Sequence, residues 1–182
     1  MREVDGERVT AAPPAAAVTD PYRLRTVFAA FATGVTVVTV GGDQPHGMTA
    51  NAVTSVSLDP ALVLVCIKHD ARMHQALMQC DGFAVSVLAV HQGPVARHFA
   101  SGRRPLGIAQ FATVGWSPGG RTGAPLIDGA MAWLECRVSG VHDGGDHSIF
   151  VGRLLSVARR DRGEPLVFFD GKFHQLAQEV LG

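Results

Sequence analysis

The chain has 182 residues and a mass of 19.2 kDa, which is the usual size of one domain. Its side chains are 47% hydrophobic, and 16 basic residues balance 16 acidic ones. A zero net charge offers no surplus to neutralise a nucleic-acid backbone or an anionic membrane, so neither partner is expected. Three scattered cysteines predict neither a disulfide framework nor a thiolate zinc site. The composition therefore predicts one folded, cytoplasmic domain.

The beginning of the chain divides into a tail and a first helix. Residues 1–19 hold prolines, an alanine run and no periodic apolar face, which predicts a disordered tail before a domain over 20–182. Asp20 and Pro21 suit the N-cap and first position of a helix, and Gly34 suits its end. We expect this helix to cover one end of a β-core with its apolar residues Leu24, Val27, Phe28 and Phe31.

Runs of β-branched residues dominate the rest of the chain and predict strands at 35–40, 51–58, 62–67, 83–88, 130–141, 147–158 and 166–169. Short helices are expected near 72–79 and 93–100. In the strand over 130–141, Glu135 and Arg137 alternate with apolar residues and should face solvent. Strands joined by turns, with few helices, predict an antiparallel barrel.

The segment from Gly47 to Pro60 is the most unusual. On one continuous strand, such small polar side chains lie on a single face and suit a flat heteroaromatic ring with a polyol tail. An ordinary solvent-facing strand explains the same spacing. The four side chains concerned are Thr49, Asn51, Ser55 and Ser57.

Two further segments carry candidate ligand-binding residues. Lys68, His69 and Arg72 lie in a turn before a predicted helix, where cations suit a phosphate, although a solvated loop has the same composition. His147 follows a glycine-rich turn and could reach over a pocket or simply face solvent. The spacing of the eight histidines matches no compact metal motif, so no metal is expected.

Taken in order, these segments resemble the flavin reductase family with the FMN-binding split-barrel fold. The resemblance is carried by 31–36, 47–51, 55–60, 83–88, 99–100, 145–147 and 151–153. It implies a mainly β, antiparallel split barrel with a few peripheral helices. It also implies an NAD(P)H:flavin oxidoreductase that uses NADH or NADPH to reduce FAD or FMN. The homodimeric members release reduced flavin to a separate monooxygenase, and the likeness extends to NADH:FAD reductases of antibiotic and enediyne pathways.

The same resemblance implies roles for individual residues. Residues 49–57 would line the flavin ring and ribityl chain, the stretch after Cys66 would hold the phosphate, and His147 would contact the nicotinamide. Ser55 or a neighbouring amide would fix the reacting edge of the flavin, so His147 and Ser55 are the catalytic candidates. The cofactor-binding candidates are Met48, Thr49, Ala50, Asn51, Ser55, Val56, Ser57, Cys66, Ile67, Lys68, Ala71, Arg72, Met73, His147 and Phe173.

Departures from the family pattern leave some alternatives open. Ala71 and Met73 stand in place of a Ser-x-Thr pair of the family, which leaves the choice between FAD and FMN open. Phe173 stands where tyrosine is common in the family. The choice between NADH and NADPH also stays open, because loop arginines such as Arg104 could bind the 2′-phosphate of NADPH. A split barrel that binds flavin tightly, as an oxidoreductase with its own substrate or as a flavin store or sensor, is the main alternative function. A haem-binding split barrel is a further one.

Overall fold

The structure is a computed structural model that describes residues 20–176. The expected tail over 1–19 and the last residues, 177–182, lie outside this part. Within the described residues the α-helices are Pro21–Phe28 (α1), Arg72–Met78 (α2) and Gly93–Ala100 (α3). Two short 3₁₀ helices lie at Val90–Gln92 and Gly107–Phe111.

The strands between residues 20 and 176 are Thr33–Gly34 (β1), Thr36–Val40 (β2), His46–Ala50 (β3), Val53–Leu58 (β4), Ala61–Lys68 (β5), Gly82–Val87 (β6), Trp116–Pro118 (β7), Pro125–Ile127 (β8), Ala132–Gly144 (β9), His147–Arg159 (β10), Val167–Phe169 (β11) and Lys172–His174 (β12). Neighbouring strands in the sheets are antiparallel. The expected mainly β, antiparallel fold is confirmed.

The principal sheet has seven strands in the order β3-β2-β6-β9-β10-β5-β4. Its two edge strands, β3 and β4, are consecutive in the chain and are joined only by Asn51 and Ala52. The sheet must therefore bend round until its edges come together at this link. At the same place, the N–H of Cys66 in β5 donates to the carbonyl of Ala52 at 3.0 Å. The result is a barrel that stays split between β3 and β4.

Strand β2 separates two hydrophobic clusters, because successive side chains of a strand point to opposite faces. Val38 and Val40 point into the barrel, where Ile67, Phe83 and Phe150 also pack. On the other face of β2, Val37 packs in a second cluster together with Val35, which lies just before the strand. The cluster also contains Ala96 and Phe99 of α3 and Phe111 of the 107–111 segment. Burial on both faces explains why β2 is an uninterrupted β-branched run.

Helix α1 begins as predicted but does not cover the core. Asp20 is the N-cap, and its Oδ1 accepts from the N–H of Tyr22 at 2.9 Å. The helix ends at Phe28 rather than near Gly34, and none of its residues is buried. The expected covering role is wrong for the single chain, because α3 and the 107–111 segment pack over the core instead.

Glu135 is a second correction, since it is only 5% exposed although the alternation in β9 predicts a solvent-facing side chain. Its Oε2 accepts from the backbone N–H groups of Arg121 and Thr122, each at 2.8 Å. The Thr122 hydroxyl donates to the same oxygen at 2.9 Å. The loop over 119–123 therefore folds across β9 and solvates the carboxylate with its own donors.

Candidate functional site

The start of strand β3 is held by side chains from the loop over 101–111. The N–H of Gly47 donates to Oε1 of Gln110 at 2.9 Å, and the guanidinium of Arg104 donates to the Gly47 carbonyl. A Cβ on Gly47 would lie 2.7 Å from the Phe99 ring, so glycine is required for this close packing. These contacts fix the start of β3, the strand that leads into Asn51.

The segment over 47–60 forms two strands rather than one, so the expected single polar face is wrong. A bend at Asn51 separates β3 from β4, and the pairing of β4 with β5 shifts register between Ser55 and Ser57. The Thr49 hydroxyl faces α3 and donates to the carbonyl of Ala96 at 2.7 Å. This hydroxyl is therefore satisfied inside the protein.

What remains open to a ligand is the edge strand β4. Ser55 and Val56 are exposed and Ser57 is half-buried. Among the described strands, β4 pairs only with β5, so the backbone groups on its outer edge have no strand partner. Met48 and Ala50, in contrast, pack in or against the barrel core. The edge therefore offers a serine hydroxyl beside free backbone groups.

The candidate phosphate-binding residues in and around the turn between β5 and α2 differ in their burial. Ile67 and Met73 are fully buried, which leaves only their main chain for a ligand. Lys68 and Arg72 are exposed, whereas Cys66 and Ala71 are half-buried. Helix α2 starts without a side-chain cap. The Nζ of Lys68 lies 2.7 Å from Oδ2 of Asp70, so a bound phosphate would compete with this carboxylate.

His147 lies beside that turn. In the pairing of β10 with β5, His147 is directly opposite Lys68, and the N–H of His69 donates to the Asp146 carbonyl at 3.0 Å. The Nδ1 of His147 lies 2.7 Å from Oδ1 of Asp146, and this hydrogen bond lowers the pKa of the Asp146 carboxyl. Because Nδ1 is engaged, Nε2 is the ring nitrogen available to a ligand. The side chain is 39% exposed.

A polar cluster that the sequence did not indicate lies on the other side of the turn. Arg104, considered above only for a 2′-phosphate, is half-buried and lies 3.2 Å from Nε2 of His46. Burial, followed by the charges of Arg104 and Arg72, lowers the pKa of His46 to about 4. His46 is therefore a neutral acceptor at pH 7. A cleft of about 520 Å³ beside it is lined by Gln44, His46, Arg72, Gln75 and Gln79, among others.

A second cleft, of about 700 Å³, lies between α1 and the turn from β11 to β12. Its aromatic walls and one amide side chain are chemically suited to a heteroaromatic ring. No local pattern in the sequence predicts this cleft, because its walls come from distant segments of the chain. They include Tyr22, Phe28, Phe31, Asn51 and Phe168.

Phe173 stands apart from the His147 hairpin. Its ring packs against Phe168, with centroids 5.8 Å apart, and the Arg97 guanidinium lies 5.7 Å from its centre. These contacts belong to the second hydrophobic cluster and the three-stranded sheet β1-β11-β12. The structure therefore brings the turn and His147 together but leaves Phe173 in a different sheet.

Residues 20–176 contain neither a cluster of metal ligands nor a long apolar helix. No three His, Cys, Asp or Glu side chains in this part of the chain are grouped closely enough to hold a metal ion. No helix there is long and apolar enough to cross a bilayer.

The fold and the polar edge define a class of protein. The flavin reductase like domain family matches residues 28–177, and the chain belongs to this family. The family resemblance and the split-barrel fold expected from the sequence are thereby confirmed.

Individual relatives are similar over nearly their whole length. The chain is 52% identical over 171 residues to an NADH-dependent FAD reductase from Streptomyces globisporus, covering 93% of this chain and 94% of that protein. BorF, the flavin reductase component of a bacterial two-component tryptophan halogenase, is 55% identical with a TM-score of 0.84, covering 88% of this chain and 100% of BorF. SgcE6, an NADH:FAD oxidoreductase from Streptomyces globisporus solved with NAD and FAD fragments, is 50% identical with a TM-score of 0.83, covering 89% of this chain and 98% of SgcE6.

Proposed function

We propose that this chain is the reductase component of a two-component system, which transfers a hydride from NADH to FAD and releases the reduced flavin to a separate monooxygenase. The names of its relatives support the donor, the acceptor and the two-component arrangement. The expected setting in an antibiotic pathway is kept as part of this proposal. The pairing of His147 with Lys68 is the structural observation that supports this function most directly.

The flavin ring fits the aromatic cleft beside Asn51, whose volume of about 700 Å³ is ample for a tricyclic ring. The hydrogen bond from Cys66 to Ala52 brings the end of β5, and the turn that follows it, close to Asn51 in this cleft. Lys68 is two strand residues further on, roughly 7 Å away. A ribityl chain can therefore connect a ring at Asn51 to a phosphate at Lys68 and Arg72.

The cleft of about 520 Å³ beside His46 supports FAD as the preferred flavin. It adjoins Arg72, so a diphosphate held there would direct the adenosine half toward His46 and the glutamines that line this space. Lys68 and Arg72 would replace the two hydroxyl donors that Ala71 and Met73 lack. Neutral His46 would present no cationic ring to the adenine.

Nicotinamide and flavin supply the hydride chemistry when bound, so the chain has to bind and align them rather than act as an acid or base. Asp146 holds His147 through Nδ1, which leaves Nε2 to hydrogen-bond the nicotinamide nucleotide. The exposed Ser55 hydroxyl would hold the reacting edge of the flavin. Both residues act by positioning.

The exposure of the site favours release over storage of the flavin. Ser55, Val56 and Lys68 are all exposed, so a ligand along this edge stays in contact with solvent. A tight flavin store would be expected to enclose its ligand more fully. Moderate binding matches a reductase that gives up its product.

Exposed apolar side chains further support a homodimer. Leu58 on β4 is 94% exposed, and Phe28 and Phe31 beside α1 are 61% and 68% exposed. Surfaces of this kind mark interfaces in soluble proteins. Sedimentation of the purified chain as a stable monomer would contradict this assembly.

Unpaired thiols support the cytoplasm as the compartment. Cys66, Cys80 and Cys136 are free, and burial raises the pKa of Cys136 to about 12. Buried neutral thiols are stable in a reducing compartment and form no structural bridge.

The deciding experiment mixes the purified full-length protein with NADH or NADPH and with FAD, FMN or riboflavin in air. Loss of the near-ultraviolet absorbance of the reduced nicotinamide reports turnover. We expect the fastest turnover with NADH and FAD. No turnover, with flavin retained through gel filtration, would instead indicate a flavoprotein with its own substrate or a storage role, and a Soret band would indicate haem.

A further inference from the structure

Three side chains without a role in the proposed function converge at the base of the hairpin that carries His147. Ser148, the next residue of β10, is only 8% exposed. Its Oγ lies 3.1 Å from Nε2 of His69 and 2.9 Å from Nε2 of His74. One hydroxyl thus connects β10, the turn after β5 and helix α2.

Both histidines are also packed against their surroundings. Their rings meet edge to face with centroids 5.1 Å apart, and the His74 ring meets the buried Phe150 ring in the same way at 5.4 Å. The backbone N–H of His69 donates to the Asp146 carbonyl. A shift of either ring would therefore disturb the hairpin.

The shared hydroxyl sets a condition on the protons of the two rings. A serine hydroxyl has one proton to donate and two lone pairs, so it can donate to one Nε2 and accept from the other, or accept from both. Only two rings with a bare Nε2 would leave one contact without a proton. When both rings are charged, the hydroxyl still accepts from each, but two like charges face each other across it. Double protonation therefore weakens the connection through charge repulsion.

The charged groups of the surrounding elements are largely paired. In the turn, Nζ of Lys68 lies 2.7 Å from Oδ2 of Asp70, and in the hairpin, Nδ1 of His147 lies 2.7 Å from Oδ1 of Asp146. The groups are Lys68 and Asp70 in the turn, Arg72 in α2, Asp143 opposite Ser148 in β9, and Asp146 and His147 in the hairpin.

We propose that Ser148, His69 and His74 are positioning residues that hold His147 for nicotinamide binding, and that acid releases this hold. The proposal rests on the function proposed above. Successive residues of a strand point to opposite faces, so anchoring Ser148 toward α2 directs His147 to the other side. The ring that would contact the nicotinamide is thereby oriented before the nucleotide arrives, which lowers the entropic cost of binding.

The test compares three variants in the NADH and FAD assay. Ser148→Ala removes the shared hydroxyl, Ser148→Thr keeps it, and Ser139→Ala removes an exposed hydroxyl of the same ribbon that donates only to the Val151 carbonyl. We expect Ser148→Ala to raise the KM for NADH about fivefold to tenfold, with kcat and the flavin KM within about twofold. Ser148→Thr and Ser139→Ala should resemble the wild type. An unchanged KM in Ser148→Ala would overturn the positioning role.

The pH profile separates positioning from a structural role. The ratio of the NADH KM in Ser148→Ala to that in the wild type should fall toward one as the pH is lowered, because protonation of both rings already weakens the connection in the wild type. A ratio that does not change with pH would overturn the acid-release step. If Ser148→Ala fails to fold, His69→Ala, in the exposed turn, is judged by the same criteria.

A readout without turnover keeps this inference distinct from the proposed function. Nitrogen-15 NMR of the histidine rings should show a protonated Nε2 on at least one of His69 and His74 in the wild type, with its chemical shift changed in Ser148→Ala. A bare Nε2 at both rings would overturn the shared hydroxyl. If the wild type shows this signature but no NADH turnover, the hydroxyl is shared, the proposed function fails, and the positioning role fails with it.

Discussion

The Arg104 guanidinium and the Gly47 carbonyl are joined by a hydrogen bond across 57 positions of sequence. The N–H of the same glycine is taken by Gln110, so both backbone polar groups at the start of β3 are bonded to one loop. Because β3 runs directly into Asn51, the loop over 101–111 determines where one wall of the aromatic cleft lies. Residues far from the proposed flavin site can therefore affect flavin binding.

Arg104→Ala should test this dependence. We expect it to lower the free energy of unfolding by about 1–3 kcal/mol, because the Gly47 carbonyl is left without its charged donor. The flavin KM should rise more than the NADH KM. Urea denaturation and steady-state kinetics measure the two effects. Arg103→Ala is the matched control, since Arg103 is the exposed neighbour in the same loop. Equal losses in both variants would contradict the expectation.

Acid should destabilise the protein through His46. Its pKa is lowered to about 4 by burial and by Arg104 and Arg72, whereas a histidine in an unfolded chain has a pKa of about 6.5. Between these two pKa values His46 is protonated in the unfolded chain but not in the folded one. The free energy of unfolding is therefore highest above about pH 6.5 and declines as the pH falls toward about 4. His46→Gln, which keeps an acceptor for Arg104, should flatten this part of the curve of Tm against pH. A curve as steep as that of the wild type would show that other groups cause the decline.

The buried carboxylate of Glu135 supports a third expectation. Glu135→Ala should destabilise the protein by about 2–3 kcal/mol, because three donors of the 119–123 loop lose a charged acceptor. Glu135→Gln, which keeps one acceptor oxygen, should lose less. Guanidinium denaturation compares the two variants. Thr122→Val, which removes one of the three donors, should fall between Glu135→Gln and the wild type. Similar stability of the alanine and glutamine variants would contradict a role for the carboxylate.

The sequence predicted the parts of the fold that depend on local pattern. The β-branched runs, the N-cap Asp20 and the glycine-rich hairpin before His147 all lie where the structure has them. The family resemblance implied separate ligand-binding roles for Lys68 and His147, and their closeness, which was not predicted, results from the register of β5 and β10.

Long-range contacts explain what the sequence did not predict. Thr49 and Glu135 follow an alternation that is typical of exposed positions, yet α3 and the 119–123 loop cover them. The break at Asn51 is required because the sheet bends round on itself, a property of the whole sheet rather than of the segment. Arg104 lacks any local signal, since its partners are defined only in the folded chain.

His147→Ala bears most directly on hydride transfer. Nδ1 of His147 is held by Asp146 and Nε2 is available, so removal of the ring should cost about one hydrogen bond to the nucleotide, or about a tenfold rise in the KM for NADH. The kcat and the flavin KM should change little, because the ring positions the donor and carries no proton in the transfer. His142→Ala is the matched control, since His142 is an exposed histidine on the neighbouring strand of the same hairpin. Steady-state kinetics with each substrate varied in turn separates the two KM values. A rise confined to the flavin KM would place His147 on the flavin instead, and no change in either would remove it from the site.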